Sequence, residues 1–412
     1  MGLLQHGCVY QTKSQPLYSS SPNIMIAFLI GDLAMRGGTH KQFLKLLQYA
    51  VKEQVDFFVI TLHLDFDKTY PEFRQFADRI QQLPTSPRSN RYARIKQRLH
   101  DMYILRKWVS KADVVNIHDN GFDTMLPAFV GKKVVWQVND LPPYFHQGAH
   151  KQQHSTFFEH LHRVYLRLFL PIVNDFTVNV TKNAMRIKDL LGRSAHVFYC
   201  GIEPINIPRH TEESIARMRQ RRINLLSSGV VLPYRNYETQ VSVVKRLREK
   251  GIDAHLNIIG ALLDKDYAQR VQQQIDEQQL SEYIHFCGMV DEATFQSLHA
   301  QADCFLFINI DQSWGLAVFE AMSCGLPVIV SESVGATEIL RNNVEALFVN
   351  PTDIDAITAE IESLMTDETR YRQIAQTAAS FHEQYTWEQA YCAPMLSLLL
   401  EQKQSCTFSN TP

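Results

Sequence analysis

From residue 23 onward the chain repeats one unit: a short, almost wholly apolar run, a polar turn, then a longer run with apolar residues at helical spacing. IMIAFLI leads through GDLAMRGGTH into KQFLKLLQYAVKE and on to VDFFVITL. Apolar runs without polar alternation belong where both faces are buried, the environment of a parallel strand covered by helices above and below. DVVNIH, KVVWQV, FTVNV and AHVFY continue the set, and a second set opens at Asn224 with NLLSSGVVL, followed by HLNIIG, YIHFCG and DCFLFIN. The pattern predicts an α/β fold of two Rossmann-like, doubly wound parallel-sheet domains facing each other across a cleft. The predicted divisions are a polar segment at 1–22, a first domain at 23–205, a second at 206–385, and a last amphipathic helix with a tail at 386–412.

A chain of 412 residues is long enough to bury a core in each domain. Its seven cysteines, Cys8, Cys200, Cys287, Cys304, Cys324, Cys392 and Cys406, are odd in number and contain no CxxC pair. They read as reduced thiols, not as a disulfide frame or a zinc site. No apolar run reaches the ~18 residues of a membrane span, and the first residues lack the apolar core of a signal peptide, so the expectation is a cytoplasmic protein. P-loop, nucleophile-elbow, zinc-protease and RNA-binding signatures are missing, and no nucleic-acid partner is expected.

The net charge of −2 conceals two unlike halves. Residues 1–205 carry 25 Lys+Arg against 16 Asp+Glu, and the remainder carry 16 against 27, which predicts that the first half faces an anionic partner. Much of the excess lies in PRSNRYARIKQRLHDMYILRKWVSK, Pro87 to Lys111, where Arg88, Arg91, Arg94, Arg98 and Lys107 stand among Tyr92, Ile95, Leu99, Tyr103, Ile104 and Trp108. Two readings stay open for this helix: its apolar stripe packs on the sheet, or it touches anionic lipid headgroups.

Open parallel sheets bind ligands beyond the carboxyl ends of their strands, so residues at those ends are the site candidates. Gly37 and Gly38 follow the first strand and open a helix, where backbone and free amides can approach a phosphate or sugar closely. His118 ends DVVNIH and can hydrogen-bond a sugar hydroxyl. In SWGLAVFEAMSCGLPVIVSESVGATE, Gly315 to Ser323 read as a short helix, Gly325 as its C-terminal cap and Val328 to Val330 as a buried strand. Glu320 on that helix can accept two hydrogen bonds from a ribose diol, while the helix start can hold a diphosphate; the plainer alternative is an ordinary helix-cap-strand unit.

The same stretch resembles the donor-site signature of family 4 glycosyltransferases, retaining enzymes of the GT-B fold, in which a Glu is followed after seven residues by Glu-Ala-Met-Ala-x-Gly-x-Pro-Val. Glu320, Ala321, Met322, Gly325, Pro327 and Val328 match the second half, and the first Glu falls on Gln312. The resemblance implies a nucleoside-diphosphate sugar, UDP- or GDP-linked, as donor. Glu320 would hold its ribose, Arg235 and the Gly37-Gly38 loop its diphosphate, and Gly260, Met289 and Val290 its base. Asp311, Gln312, Ser313, Trp314 and Gly315 would lie near the sugar, with His118, Gln312 and Glu320 as the catalytic set. Arg36, Asn139, Asp140, Thr181 and Lys182 would shape the acceptor side of the cleft, and the last helix would cross back to the first domain. In this register Val230 replaces an arginine, leaving one cation short, for which Arg36 or Lys182 would compensate.

The resemblance further implies a metal-independent transfer without cofactor, from a hexose donor to a glycan or lipid-linked acceptor. Cell-surface polysaccharide synthesis at the inner face of the membrane, with peripheral association through the Arg88–Lys111 helix, fits that scheme. Asp65-Phe66-Asp67 looks like the metal-holding pair of GT-A enzymes, and His146, His150 and His154 have metal-ligand spacing, but the two-domain layout and the lack of Glu or Cys partners weigh against both. For Gln312 three readings stand: glutamine suffices, Asp311 supplies the carboxylate, or turnover is weakened. The corresponding rivals are a catalytically silent sugar-nucleotide or glycan-binding protein and a GT-B sugar-nucleotide epimerase.

Overall fold

A computed structural model of the chain describes residues 24–84, 91–139, 156–205, 207–208, 210–311 and 314–401. The first sheet holds β1 (Met25–Leu33), β2 (Asp56–Leu64), β3 (Ile80–Gln82), β4 (Val114–His118), β5 (Lys133–Val138), β6 (Asp175–Val178) and β7 (Ala195–Val197) in the order β3-β2-β1-β4-β5-β6-β7. Every pairing is parallel, with Ile26 opposite Phe57 on one side and Val114 on the other. Helices α1 (Gly38–Lys52), α2 (Arg91–Val109), α3 (Thr156–Phe169) and α4 (Thr181–Leu191) make the crossovers. Ile26 to Leu29 are fully buried, which is why the central strand reads as an unbroken apolar run.

The second sheet orders β8 (Arg222–Ser228), β9 (Asp253–Ile259), β10 (Ile284–Gly288), β11 (Cys304–Phe307), β12 (Val328–Ser331) and β13 (Leu347–Val349) as β10-β9-β8-β11-β12-β13, again all parallel. It is flanked by α5 (Thr211–Arg219), α6 (Tyr237–Glu249), α7 (Lys265–Glu277), α8 (Glu292–Gln301), α9 (Leu316–Ser323), α10 (Ile354–Thr366) and α11 (Glu368–Ser380). β3 and β13, three-residue edge strands, escape a reading by apolar runs.

Strand order reverses between β1 and β4 in one sheet and between β8 and β11 in the other, and at such switch points the loops part and leave a crevice. The last helix, α12 (Ala393–Leu400), lies against the first sheet, where the Lys133 ammonium donates to the Leu398 and Glu401 carbonyls. One apolar cluster runs from Phe28 and Phe43 through Cys200 and Ile202 to Phe319, Trp387 and Tyr391, so the two domains share core. Cys200, Cys287, Cys304, Cys324 and Cys392 are free thiols. Among the described residues no helix is long and apolar enough to cross a membrane.

Candidate active site

At the second switch point the chain is forced into close contact with itself. Gly229 follows β8 with φ +154°, and Gly260 follows β9 with φ +147°. A Cβ on Gly260 would stand 2.0 Å from the Gly229 carbonyl oxygen, and one on Gly229 would stand 2.6 Å from the Arg235 guanidinium carbon. Both positions therefore demand glycine. Arg235 ends a 3-10 turn, Pro233–Arg235, after which Asn236 takes a left-handed conformation and starts α6. This turn lays the guanidinium over Gly229, within 5.2 Å of the Tyr234 ring centroid and 5.3 Å of the Phe307 centroid. Its Nε is buried without a hydrogen-bond partner, and no carboxylate among the described residues pairs with it. A partly buried cation lacking a counterion is suited to an anion.

Across β11 from this loop, Gly315 adopts φ +91° and opens α9, with its backbone close against Phe307 and Val334. The helix closes in a Schellman motif: Gly325 donates to the Met322 carbonyl at 2.8 Å and Leu326 to that of Ala321 at 3.1 Å. Trp314 is buried between Tyr199 and Phe319, at 5.4 and 5.1 Å between ring centroids. Glu320, half-buried on α9, meets Lys41 of α1 across the cleft at 3.5 Å, and Lys41 also meets Glu203 in the linker at 3.3 Å. Burial opposes the Lys41 charge, but Glu320 and Glu203 together hold its pKa above the usual value. The two helix starts nearly touch, since a Cβ on Gly38 would lie 3.1 Å from Leu316.

On the first domain, His118 is fully buried at the end of β4, its ring 4.9 Å from that of Phe43. Desolvation drives its pKa down to about 3 against the weaker opposing influence of the Thr39 backbone, so the imidazole is neutral at any working pH and offers one donor and one acceptor. Gly37 stands just before α1, and Arg36 donates to the Thr69 carbonyl at 3.0 Å. Asn139 is buried: its amide donates to Thr39 and Gln42 and accepts from Gln137 at 2.8 Å. It therefore fixes the loop beneath the cleft.

Thr181 and Lys182 begin α4, whose amides are capped from the other domain. Their N–H groups donate to Glu338 at 2.8 and 3.1 Å. The Lys182 ammonium pairs with Asp311, and Arg186, one turn on, reaches the other oxygen of that carboxylate at 2.7 Å. Burial works against the Asp311 charge, yet Lys182 and Arg186 outweigh it and hold the carboxyl below the usual range. Asp311 is thus a bridge between domains, and Lys182 is not a loose cation waiting for a phosphate. Asp140, Gln312 and Ser313 lie outside the described residues, as do His146, His150 and His154. Asp65 pairs with Lys68 at 2.8 Å and Asp67 with Arg74 at 2.5 Å.

Residues 209–381 match the family model described as glycosyl transferases group 1. That match lies within the second domain. Over 108 residues the chain is 33% identical to O-antigen chain mannosyltransferase B of Escherichia coli, covering 26% of this chain and 27% of that protein. Over 227 residues it is 23% identical to O-antigen chain mannosyltransferase RfbU of Salmonella typhimurium, covering 55% and 59%. The chain thus spans between about a quarter and three-fifths of the length of these relatives. The crystal structure of Anabaena HepE in complex with UDP superposes with a TM-score of 0.70 at 17% identity, over 91% of this chain and 99% of that one. The fold is GT-B, and the resemblance to family 4 glycosyltransferases is borne out.

The structure gathers Arg235, Gly260, Gly315 and Glu320 at the carboxyl edge of the second sheet, and Gly37, Gly38 and His118 at that of the first. Met289 is strongly exposed just beyond β10, with Val290 beside it, farther out along the same edge. Lys41, Arg186, Gly229 and Glu338 were not singled out from sequence. Arg186 is signalled by its i+4 spacing from Lys182, and Lys41 by its place one turn beyond the Gly37-Gly38 loop. Glu338 closes the very stretch that carries the motif, but its partner lies 157 residues away in sequence.

Proposed function

We propose that the protein is a retaining glycosyltransferase that moves a hexose from a nucleoside diphosphate to a glycan or lipid-linked acceptor in cell-surface polysaccharide synthesis, without a metal cofactor. The observation that carries this reading is the Arg235 guanidinium, buried at Nε, without a carboxylate partner among the described residues, and held over a glycine pair at the switch point. There it would neutralise the diphosphate as the sugar departs, the role a fixed cation plays best where charge develops. Glu320 would accept the ribose hydroxyls, with Lys41 set against it across the cleft at 3.5 Å, and the neutral His118 would hydrogen-bond the sugar. UDP and GDP are the nucleotides to test: HepE was solved with UDP, and a Mycolicibacterium smegmatis relative is a GDP-mannose-dependent mannosyltransferase. The basic α2 suits an acceptor presented at the inner face of a membrane.

Isothermal titration with UDP and GDP tests the donor site. Arg235→Ala should lose about tenfold to a hundredfold in affinity, the worth of a charge-assisted contact to phosphate. Unchanged affinity would remove Arg235 from the site and the reading with it. A second reading, a sugar-nucleotide binder without turnover, is favoured by Asp311, whose carboxylate is engaged by Lys182 and Arg186 and so does not stand in for the glutamate absent at position 312. Nucleotide binding with no donor hydrolysis or transfer across a broad acceptor panel would select it.

A further inference from the structure

Rings packed only to fill a core meet at mixed angles, as Phe28 does in the first domain, edge-on to Phe43 at 79° and to Phe57 at 75°. Five rings beside the cleft are arranged otherwise. Tyr199, Trp314, Phe319, Phe381 and Tyr385 follow one another face to face, with interplanar angles of 26°, 28°, 13° and 20° and centroids 5.4, 5.1, 6.2 and 5.4 Å apart. They come from three separate stretches of chain: the segment after β7, the opening of α9, and the 3-10 turn Phe381–Gln384 with the residue that follows it. Trp314, Phe319 and Phe381 are buried, and the two tyrosines close the ends. The Trp314 indole N–H is buried and makes no hydrogen bond among the described residues. A buried donor left unpaired costs stability, so this position uses the faces of its ring and not the N–H.

Both ends of the column are tied to passages of the chain between the domains. At one end the Tyr199 hydroxyl donates at 3.4 Å to Glu338, the carboxylate that caps α4 of the first domain. At the other, the Tyr385 carbonyl accepts the Ile202 N–H at 2.7 Å. Beside it a Cβ on Gly201 would stand 2.1 Å from the Trp387 Cα, so the outward and return crossings touch backbone to backbone. Between these ends the column passes through α9, where Glu320 directly follows Phe319. Interiors packed this closely have no slack, and a displacement at one ring is carried to the next.

We infer that this aromatic column sets α9 against the two chain crossings, which makes Phe381 and Tyr385 positioning residues for the nucleotide although neither belongs to the donor site. The inference rests on the glycosyltransferase reading for the identity of the ligand at α9. Binding at Glu320 and at the start of α9 draws on a geometry that the column maintains, and loss of any one flat ring loosens that helix against the crossings.

The test is a double-mutant cycle in UDP and GDP affinity, measured by titration calorimetry on the full chain. Leucine keeps apolar bulk but offers no flat face. Tyr385→Leu should weaken nucleotide binding by about fivefold, and Tyr385→Phe, which keeps the ring, should restore it. Trp314→Leu should cost about tenfold by itself, and adding Tyr385→Leu should cost less than about twofold more, because the column is already broken. Trp314→Phe drops only the unused N–H and should bind within about twofold of the unaltered chain. Melting temperatures show which variants fold, and where Trp314→Leu does not, Phe381→Leu takes its place in the cycle. A ring that only fills space would lower the melting temperature and leave nucleotide affinity where it was. Full affinity in Tyr385→Leu, failure of Tyr385→Phe to restore it, or losses that multiply in the double variant would overturn the inference and leave the donor site standing. Failure of the unaltered chain to bind either nucleotide would overturn the glycosyltransferase reading together with it.

Discussion

The two domains share one architecture but hold their charges differently. Cations of the second domain are mostly closed into pairs on their own surface, and Arg235 stands out as an unpaired exception at the switch point. Some cations of the first domain, such as Lys68 and Arg74, pair within it, but others reach carboxylates beyond it. Lys41–Glu320, Lys182–Asp311 and Arg186–Asp311 all place the cation on the first domain and the carboxylate on the second. The opposite net charges of the two halves therefore serve, in part, to draw the domains together.

The sharpest break in the comparison is steric. Gly260→Ala would drive a Cβ into the Gly229 carbonyl at 2.0 Å, and relief requires the ends of β8 and β9 to part. The expected cost exceeds about 3 kcal/mol, with loss of nucleotide binding, read by chemical denaturation and titration calorimetry. Gly192→Ala, in the first domain, also replaces a positive-φ glycine, at +66°, but nothing lies within 4 Å. It should cost only about 1–2 kcal/mol and leave nucleotide affinity unchanged. Equal effects at the two glycines would mean that the second switch point is not the tightly built one.

Next in size is Glu320→Gln, which keeps a hydrogen-bonding group but removes the charge that Lys41 faces. Nucleotide affinity should fall by about tenfold, or about 1.4 kcal/mol. Lys41→Met should reproduce part of that loss if the ion pair keeps the Glu320 side chain aimed. Full affinity in both variants would detach the interdomain pair from donor binding.

How far the sequence disclosed this arrangement follows from what is local. Apolar runs announced eleven of the thirteen strands, and the capped helix bearing Glu320 was readable to its Schellman glycine because cap, helix and strand are contiguous. β3 and β13 were missed where β7, equally short and also at an edge, was found, because AHVFY extends its apolar run beyond the paired residues. The polar contacts across the cleft were missed for a different reason: Asp311 finds Lys182 across 129 positions and Glu338 finds Thr181 across 157, separations at which no spacing rule operates. Asn139 shows the same limit from the other side. Its place at a strand end suggested the cleft, whereas a buried network with Gln137 and Gln42 claims its amide.

The smallest effect tests whether those distant pairs hold the cleft closed. Lys182 and Arg186 keep the Asp311 carboxyl below its ordinary pKa of about 3.9, so its contribution to the closed state is fully present above that value. It disappears only as pH falls through the lowered folded value. Asp311→Asn removes the charge at every pH and should abolish that dependence, while a half-exposed pair is worth no more than about 1 kcal/mol and weakens in salt. Small-angle scattering between pH 3 and 7 would then show the unaltered protein compact at neutrality and expanding at the acid end. The Asp311→Asn variant should be slightly expanded throughout, and 0.5 M salt should narrow the gap between them. A variant as compact as the original at pH 7 would mean that the shared apolar core alone closes the domains, leaving the opposed charges to approach and orientation.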